Sequence, residues 1–130
     1  MLLTTKLNLP EPKHQLLQRE RLVDLVNNHL DRRLVLVNGD AGYGKTTLLG
    51  QVIRTAKLPC VYCALDRGDG DPAVLAEHLL YGLGRLQAGL GGRTGKLLSQ
   101  GAGGGRDHEL LFGTLVNELA EERREELFIV

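Results

Sequence analysis

Neither charge sign prevails in this chain: 16 lysines and arginines face 16 aspartates and glutamates, for a formal net charge of zero. Bulk electrostatics therefore attract neither nucleic acid nor an anionic membrane surface. No apolar run approaches the roughly 20 residues that span a bilayer. The opening MLLTTKLNLP holds only two leucines before polar residues intervene, too few for the core of a signal peptide. Two cysteines are fewer than a secreted domain of this size would carry as disulfides. Together these absences predict a cytoplasmic protein without membrane partners. A length of 130 residues, 42% of them hydrophobic, leaves room for one domain and little more.

What is abundant is glycine. Ten of the 17 glycines fall between Gly82 and Gly105, a density that predicts poor order there.

Pattern along the chain is clearer elsewhere. Residues 1–18, with Pro10 and Pro12, read as an extended arm, and a domain of residues 19–130 follows. In RERLVDLVNNHLD, Arg19 to Asp31, Leu22, Val23, Val26 and Leu30 recur at helical spacing. Arg32 and Arg33 mark the helix exit, and RLVLVN, ending at Asn38, is an apolar run of the kind found in strands covered on both faces. A second helix is expected from Lys45 to Lys57, stopped by Pro59, and a second buried strand in CVYCAL, Cys60 to Leu65. Asp71-Pro72 is an N-cap followed by proline at the first helical position, opening a helix through AVLAEHLLYGL. Leu111, Phe112, Leu115, Val116 and Leu119 form a last helical stripe before the charged EERREE and the apolar LFIV. Strand, helix, strand, helix, helix, strand is an α/β order, and right-handed crossovers make its strands parallel. The expected fold class is α/β, a parallel sheet with helices on both faces.

Between the first strand and its helix stands GDAGYGKT, Gly39 to Thr46, which fits G-x-x-x-x-G-K-[ST], the Walker A sequence. Backbone N–H groups must approach phosphate oxygens closely, and side chains on the loop would hold them away, so glycines at 39, 42 and 44 suit the task. Asp40, Ala41, Tyr43 and Thr47 complete the cradle. The helix start near Lys45 turns free N–H groups and the positive end of its dipole to the same anion. Lys45 is expected to reach the β- and γ-phosphates of ATP, and the Thr46 hydroxyl to bind Mg²⁺.

Other candidates have plainer explanations. C-x-x-C at Cys60 and Cys63 lacks the second ligand pair of a zinc site, since histidines 14, 29, 78 and 108 are scattered; two small buried hydrophobes in a strand fit better. DRGDGD reads as a turn plus N-cap, with Asp66 alone placed at a strand's carboxyl end, where open α/β sheets bind ligands. GGRTGKLL has Gly95-Lys96 but neither the earlier glycine nor the following hydroxyl of a phosphate loop, and reads as loop. EERREE reads as a solvated helix face.

TKLNLP, QRERLVDLV, VNGDAGYGKTTLL and VYCALDRGDGDPAVLAEHLL follow in an order that resembles the MalT-type regulators, the LuxR-family branch of the STAND signal-transduction ATPases. The resemblance covers nearly the whole chain, with AGYGKTTL and LD-x-x-D-x-DP its most diagnostic parts. Tyr62 departs from the family's usual tryptophan, and residues 89–106 correspond to a variable glycine-rich insert before LFGTLVNELA. The resemblance implies an ATP-binding switch: the nucleotide-bound form self-associates, hydrolysis to ADP resets it, and Arg19 lies near the adenine through backbone contacts. The fold it implies is a three-layer P-loop sandwich, incomplete at its last strand: in the family the strand corresponding to LFIV runs into the Walker B aspartates, which lie beyond Val130. Hydrolysis by this chain alone is therefore not expected, and DNA would be contacted only through a domain outside it. The family order also puts a later strand between Leu34–Asn38 and Leu127–Val130, so these either stand apart with exposed edges or pair directly. Two other readings stay open: a small P-loop kinase acting on a metabolite, which direct pairing would suit, and an inactive nucleotide-binding remnant.

Overall fold

The computed structural model describes residues 2–11, 17–101, 107–123 and 126–130. Pro12, His14, Gly103 to Arg106, Arg124 and Glu125, all read above from the sequence, lie outside the described residues.

Five α-helices are the main regular elements among the described residues: α1 (Glu20–Asn27), α2 (Lys45–Thr55), α3 (Pro72–Leu86), α4 (Gly92–Ser99) and α5 (His108–Glu122). Two short strands, β1 (Cys60–Val61) and β2 (Phe128–Ile129), pair in parallel with Cys60 opposite Phe128 and Val61 opposite Ile129. The pairing extends past the ladder, since Cys63 N–H donates to Val130 O at 2.8 Å. On the other side of the same extended segment, Ala64 N–H donates to Lys6 O at 2.9 Å.

The apolar stripes explain the packing. Val61 of β1 meets Leu83 of α3, Leu90 of the following turn and Leu115 of α5, with Leu80, Phe112, Leu119 and Leu127 around them. A separate, smaller cluster joins Val23 of α1 to Leu48 and Val52 of α2, with Leu22, Val26 and Val37 at its margin. Val116, counted in the sequence with the α5 stripe, is exposed, because the buried face follows Leu111, Leu115 and Glu118.

Asp71 accepts a hydrogen bond from Ala73 N–H with Pro72 in the first turn of α3, as the sequence predicts. Element ends differ from expectation: α1 stops at Asn27, short of Asp31, and of CVYCAL only Cys60 and Val61 form strand. Three further expectations differ. The N-terminal arm contains an element, one turn of 3-10 helix at Thr4–Leu7. Its Lys6 ammonium sits 2.7 Å from Asp69 Oδ2 and 2.9 Å from Asp66 Oδ2, and His78 Nε2 accepts from Leu3 N–H at 3.0 Å. Long-range polar contacts therefore order a segment whose local sequence gives no reason for it.

The glycine-dense segment contains α4, where both poor order and, for GGRTGKLL, loop were expected. Glu118 of α5, fully buried, supplies the reason: its carboxylate accepts from Arg93 N–H at 2.6 Å, from Thr94 N–H at 2.9 Å and from the Thr94 hydroxyl. Third, Leu34–Asn38 carries no strand assignment and no ladder partner among the described residues, and Leu34 and Leu36 are each 80% exposed. A strand needs a neighbour to satisfy its N–H and C=O groups, and none of the described residues pairs with this run.

Among the described residues, no helix is long and apolar enough to cross a membrane.

A phosphate-type loop beside an apolar cleft

Gly39–Thr46 joins Leu34–Asn38 to α2. Two of its glycines are in the left-handed region, Gly42 at φ 84° and Gly44 at φ 78°, and Gly44 is the N-cap residue of α2. That conformation costs L-residues about 1 kcal/mol or more, which makes glycine the residue for the position. Leu48 N–H donates to Gly44 O at 2.9 Å and closes the first helical turn. The N–H groups of Gly42 and of Gly44 to Thr47 have no acceptor among the described residues. They form a run of donors at the positive end of a helix.

Lys45 folds back over the loop. Its ammonium donates to Asp40 O at 2.8 Å and to Gly39 O, so the charge lies above the backbone on which an anion would rest. Thr46 is exposed, and its hydroxyl has no hydrogen-bond partner among the described residues. Ala41 and Tyr43 are exposed, Tyr43 at the edge of the cleft, while Thr47 is half-buried at the helix start.

Arg19, expected near a base through its backbone, reaches the loop with its side chain: the guanidinium donates to Tyr43 O at 2.8 Å. Its own N–H is engaged by Gln51 Oε1 at 3.3 Å. A cleft of about 520 Å³ opens here, lined by Leu22, Val26, Val37 and Leu48 together with Arg19 and Lys45.

The other candidates resolve as structure. Cys60 and Cys63 are free thiols. Burial pushes the Cys60 pKa up to about 11; it also raises that of Cys63, beside the Asp69 charge, so neither is an activated nucleophile. No group of three or more His, Cys, Asp or Glu side chains among the described residues could hold a metal. Asp66 and Asp69 form a reciprocal cap on the 3-10 turn Arg67–Gly70. Hydrogen bonds from Lys6 hold both carboxyls below the usual aspartate range.

Gln51 and Glu118 are the polar residues that the sequence reading passed over. Glu118 left a trace, an acidic residue on the buried face of an otherwise apolar stripe. Gln51, buried within α2, left none.

Comparison with known proteins adds relatives for part of the chain. Over 89 residues, 68% of its length, it is 34% identical to the HTH-type transcriptional regulator MalT of Cronobacter sakazakii. It is 36% identical to the MalT of Klebsiella pneumoniae over 80 residues, 62% of the chain, and to that of Serratia proteamaculans over 83 residues, 64% of the chain. The chain is similar to a segment of MalT. It spans about a tenth of the length of these curated relatives, 9% to 10% in each case. Neither a protein-family model nor a solved structure matches it.

Proposed function

We propose that this chain is the nucleotide-binding part of a STAND-type regulatory ATPase, built on an incomplete P-loop sheet, in which ATP occupancy sets the state of a transcription regulator. The observation that carries the reading is the loop itself: two left-handed glycines, the N–H groups of Gly44 to Thr47 at the start of α2 with no acceptor among the described residues, and Lys45 above them. That arrangement suits a phosphate chain, which presents several oxygens to convergent N–H donors and a single ammonium. The adjoining apolar cleft suits the rest of a nucleotide, an apolar body attached to an anionic tail.

In this reading, Gly42 and Gly44 to Thr47 donate to phosphate oxygens and Lys45 neutralises charge on the β- and γ-phosphates. The chain offers magnesium one hydroxyl, from Thr46, and among the described residues no carboxylate cluster. A donor set this small fits an ion that arrives already bound to phosphate, so Mg²⁺ would be shared between Thr46, ATP and water. When bound, it would screen the phosphate charge that Lys45 also faces.

The names of the relatives support the regulatory context. The strand arrangement supports it over a metabolite kinase, since Leu34–Asn38 does not pair with Phe128–Ile129 while Cys60–Val61 does. Self-association of the ATP-bound form belongs to the same reading.

Titration with fluorescent ATP in the presence of Mg²⁺ tests it. The parent chain should bind, and Lys45→Ala should bind at least about tenfold more weakly, the loss of one charge-assisted contact. Equal binding by the two proteins would remove the role assigned to Lys45.

A further inference from the structure

Arg19 approaches the loop at one peptide. Nη1 donates to Tyr43 O at 2.8 Å, and Nη2 lies 3.3 Å from where a Cβ on Gly44 would sit. The backbone carrying Arg19 is fixed to α2 by both ends of a single amide: Arg19 N–H donates to Gln51 Oε1 at 3.3 Å, and Gln51 Nε2 donates to Leu17 O at 3.1 Å. The guanidinium is thus anchored to the helix whose first turn follows the loop.

A trans peptide points its C=O and N–H in opposite directions. Holding the Tyr43 carbonyl toward Arg19 therefore turns the Gly44 N–H to the opposite side, where it has no acceptor among the described residues. Glycine at 44 makes this peptide easy to rotate, because φ is unrestricted there. Rotated, it would present a carbonyl oxygen to an approaching anion and repel it.

We propose that Arg19 is a positioning residue for the loop: by holding the Tyr43 carbonyl it aims the Gly44 N–H at a phosphate-type anion. This rests on the phosphate reading of the loop and adds a residue outside the Walker A sequence. It also separates two roles for Arg19, since a residue that serves the base should matter to ATP and not to a ligand without a base.

The test uses the full chain and two probes, Mg-ATP and inorganic pyrophosphate, with the parent, Arg19→Met and Arg19→Lys. Arg19→Met should lose about tenfold in affinity for both probes, as expected for one lost hydrogen bond to a charged group. Arg19→Lys, which can still donate to the carbonyl, should recover part of that loss. The ¹³C shift of the Tyr43 carbonyl should move in Arg19→Met without any ligand, and the pyrophosphate-induced shift of the Gly44 amide should shrink. Parent-like pyrophosphate affinity in Arg19→Met, including a loss confined to Mg-ATP, overturns the proposal alone. A parent chain that binds neither probe overturns the phosphate reading and this inference with it. Arg19 is exposed, so the substitutions leave the fold intact, which thermal unfolding verifies.

Discussion

Two helices of this protein begin in the same way, and the N–H groups of their first turns meet different surroundings. α2 follows Gly44 at φ 78° and α4 follows Gly91 at φ 83°, both in the left-handed region. Neither N-cap residue has a side chain to satisfy the first N–H groups. At α4 the protein supplies the acceptor itself: Glu118 reaches across from α5 and takes the N–H groups of Arg93 and Thr94 with one carboxylate. At α2 no carboxylate arrives from among the described residues, a lysine stands there, and the cleft beside it opens outward. A helix start of this geometry asks for an anion, and the protein's own carboxylate shows what satisfies one. The difference marks α4 as architecture and leaves the start of α2 open, as the proposed nucleotide site requires.

Removing the internal anion tests the first half of that contrast and should have the largest effect. Glu118→Ala leaves two N–H groups and a hydroxyl buried without an acceptor, and should lower stability by about 3 kcal/mol in urea denaturation. The amides of Arg93 and Thr94 should lose protection from hydrogen exchange in the same variant. The two glycines should then differ. Gly91→Ala adds the left-handed strain to a Cβ only 2.3 Å from Leu80 Cδ2, and should cost about 2 kcal/mol. Gly44→Ala meets only the far end of the Arg19 side chain, at 3.3 Å, and should cost about 1 kcal/mol of stability while weakening ATP binding.

Acid sharpens the same comparison. Burial alone would raise the Glu118 carboxyl, but hydrogen bonds from Thr94 and Arg93 and the Arg93 charge outweigh it, so its pKa lies below the ordinary glutamate value of 4.5. A depressed folded-state pKa contributes stability above the unfolded value that is lost as pH falls through the folded one. Between pH 5 and 3 the parent should lose more stability than Glu118→Gln, which has no proton to gain; equal slopes would remove Glu118 from the account. The smallest effect should come from the exposed run. Leu36→Thr should change unfolding free energy by less than about 0.5 kcal/mol, because the side chain is 80% exposed, while reducing aggregation on concentration.

The same contrast explains which features were legible in the sequence. The loop, α2 and the Asp71-Pro72 start of α3 were legible because their causes are local: glycines, a lysine and a cap within a few residues of one another. The stripes of α1 and α5 were legible from helical spacing. α4 was not, because its stabilising carboxylate lies 24 residues away at Glu118. The turn at Thr4–Leu7 was hidden for the same reason, since Lys6 is held by Asp66 and Asp69. Leu34–Asn38 read as a strand from its composition, but pairing is a property of a neighbour. Of the candidate site, the glycine loop and the helix start after it were readable, whereas the guanidinium of Arg19 on Tyr43 and the amide of Gln51 behind it depend on how α1 meets α2.

The central claim is that anion binding belongs to the start of α2 and not to that of α4. Amide chemical shifts recorded during titration of the full chain with Mg-ATP test it directly. The account predicts that Gly42 and Gly44 to Thr47 move together while Arg93 and Thr94 stay in place. Shifts confined to α4 and α5, or no shifts at the loop at saturating Mg-ATP, would contradict it.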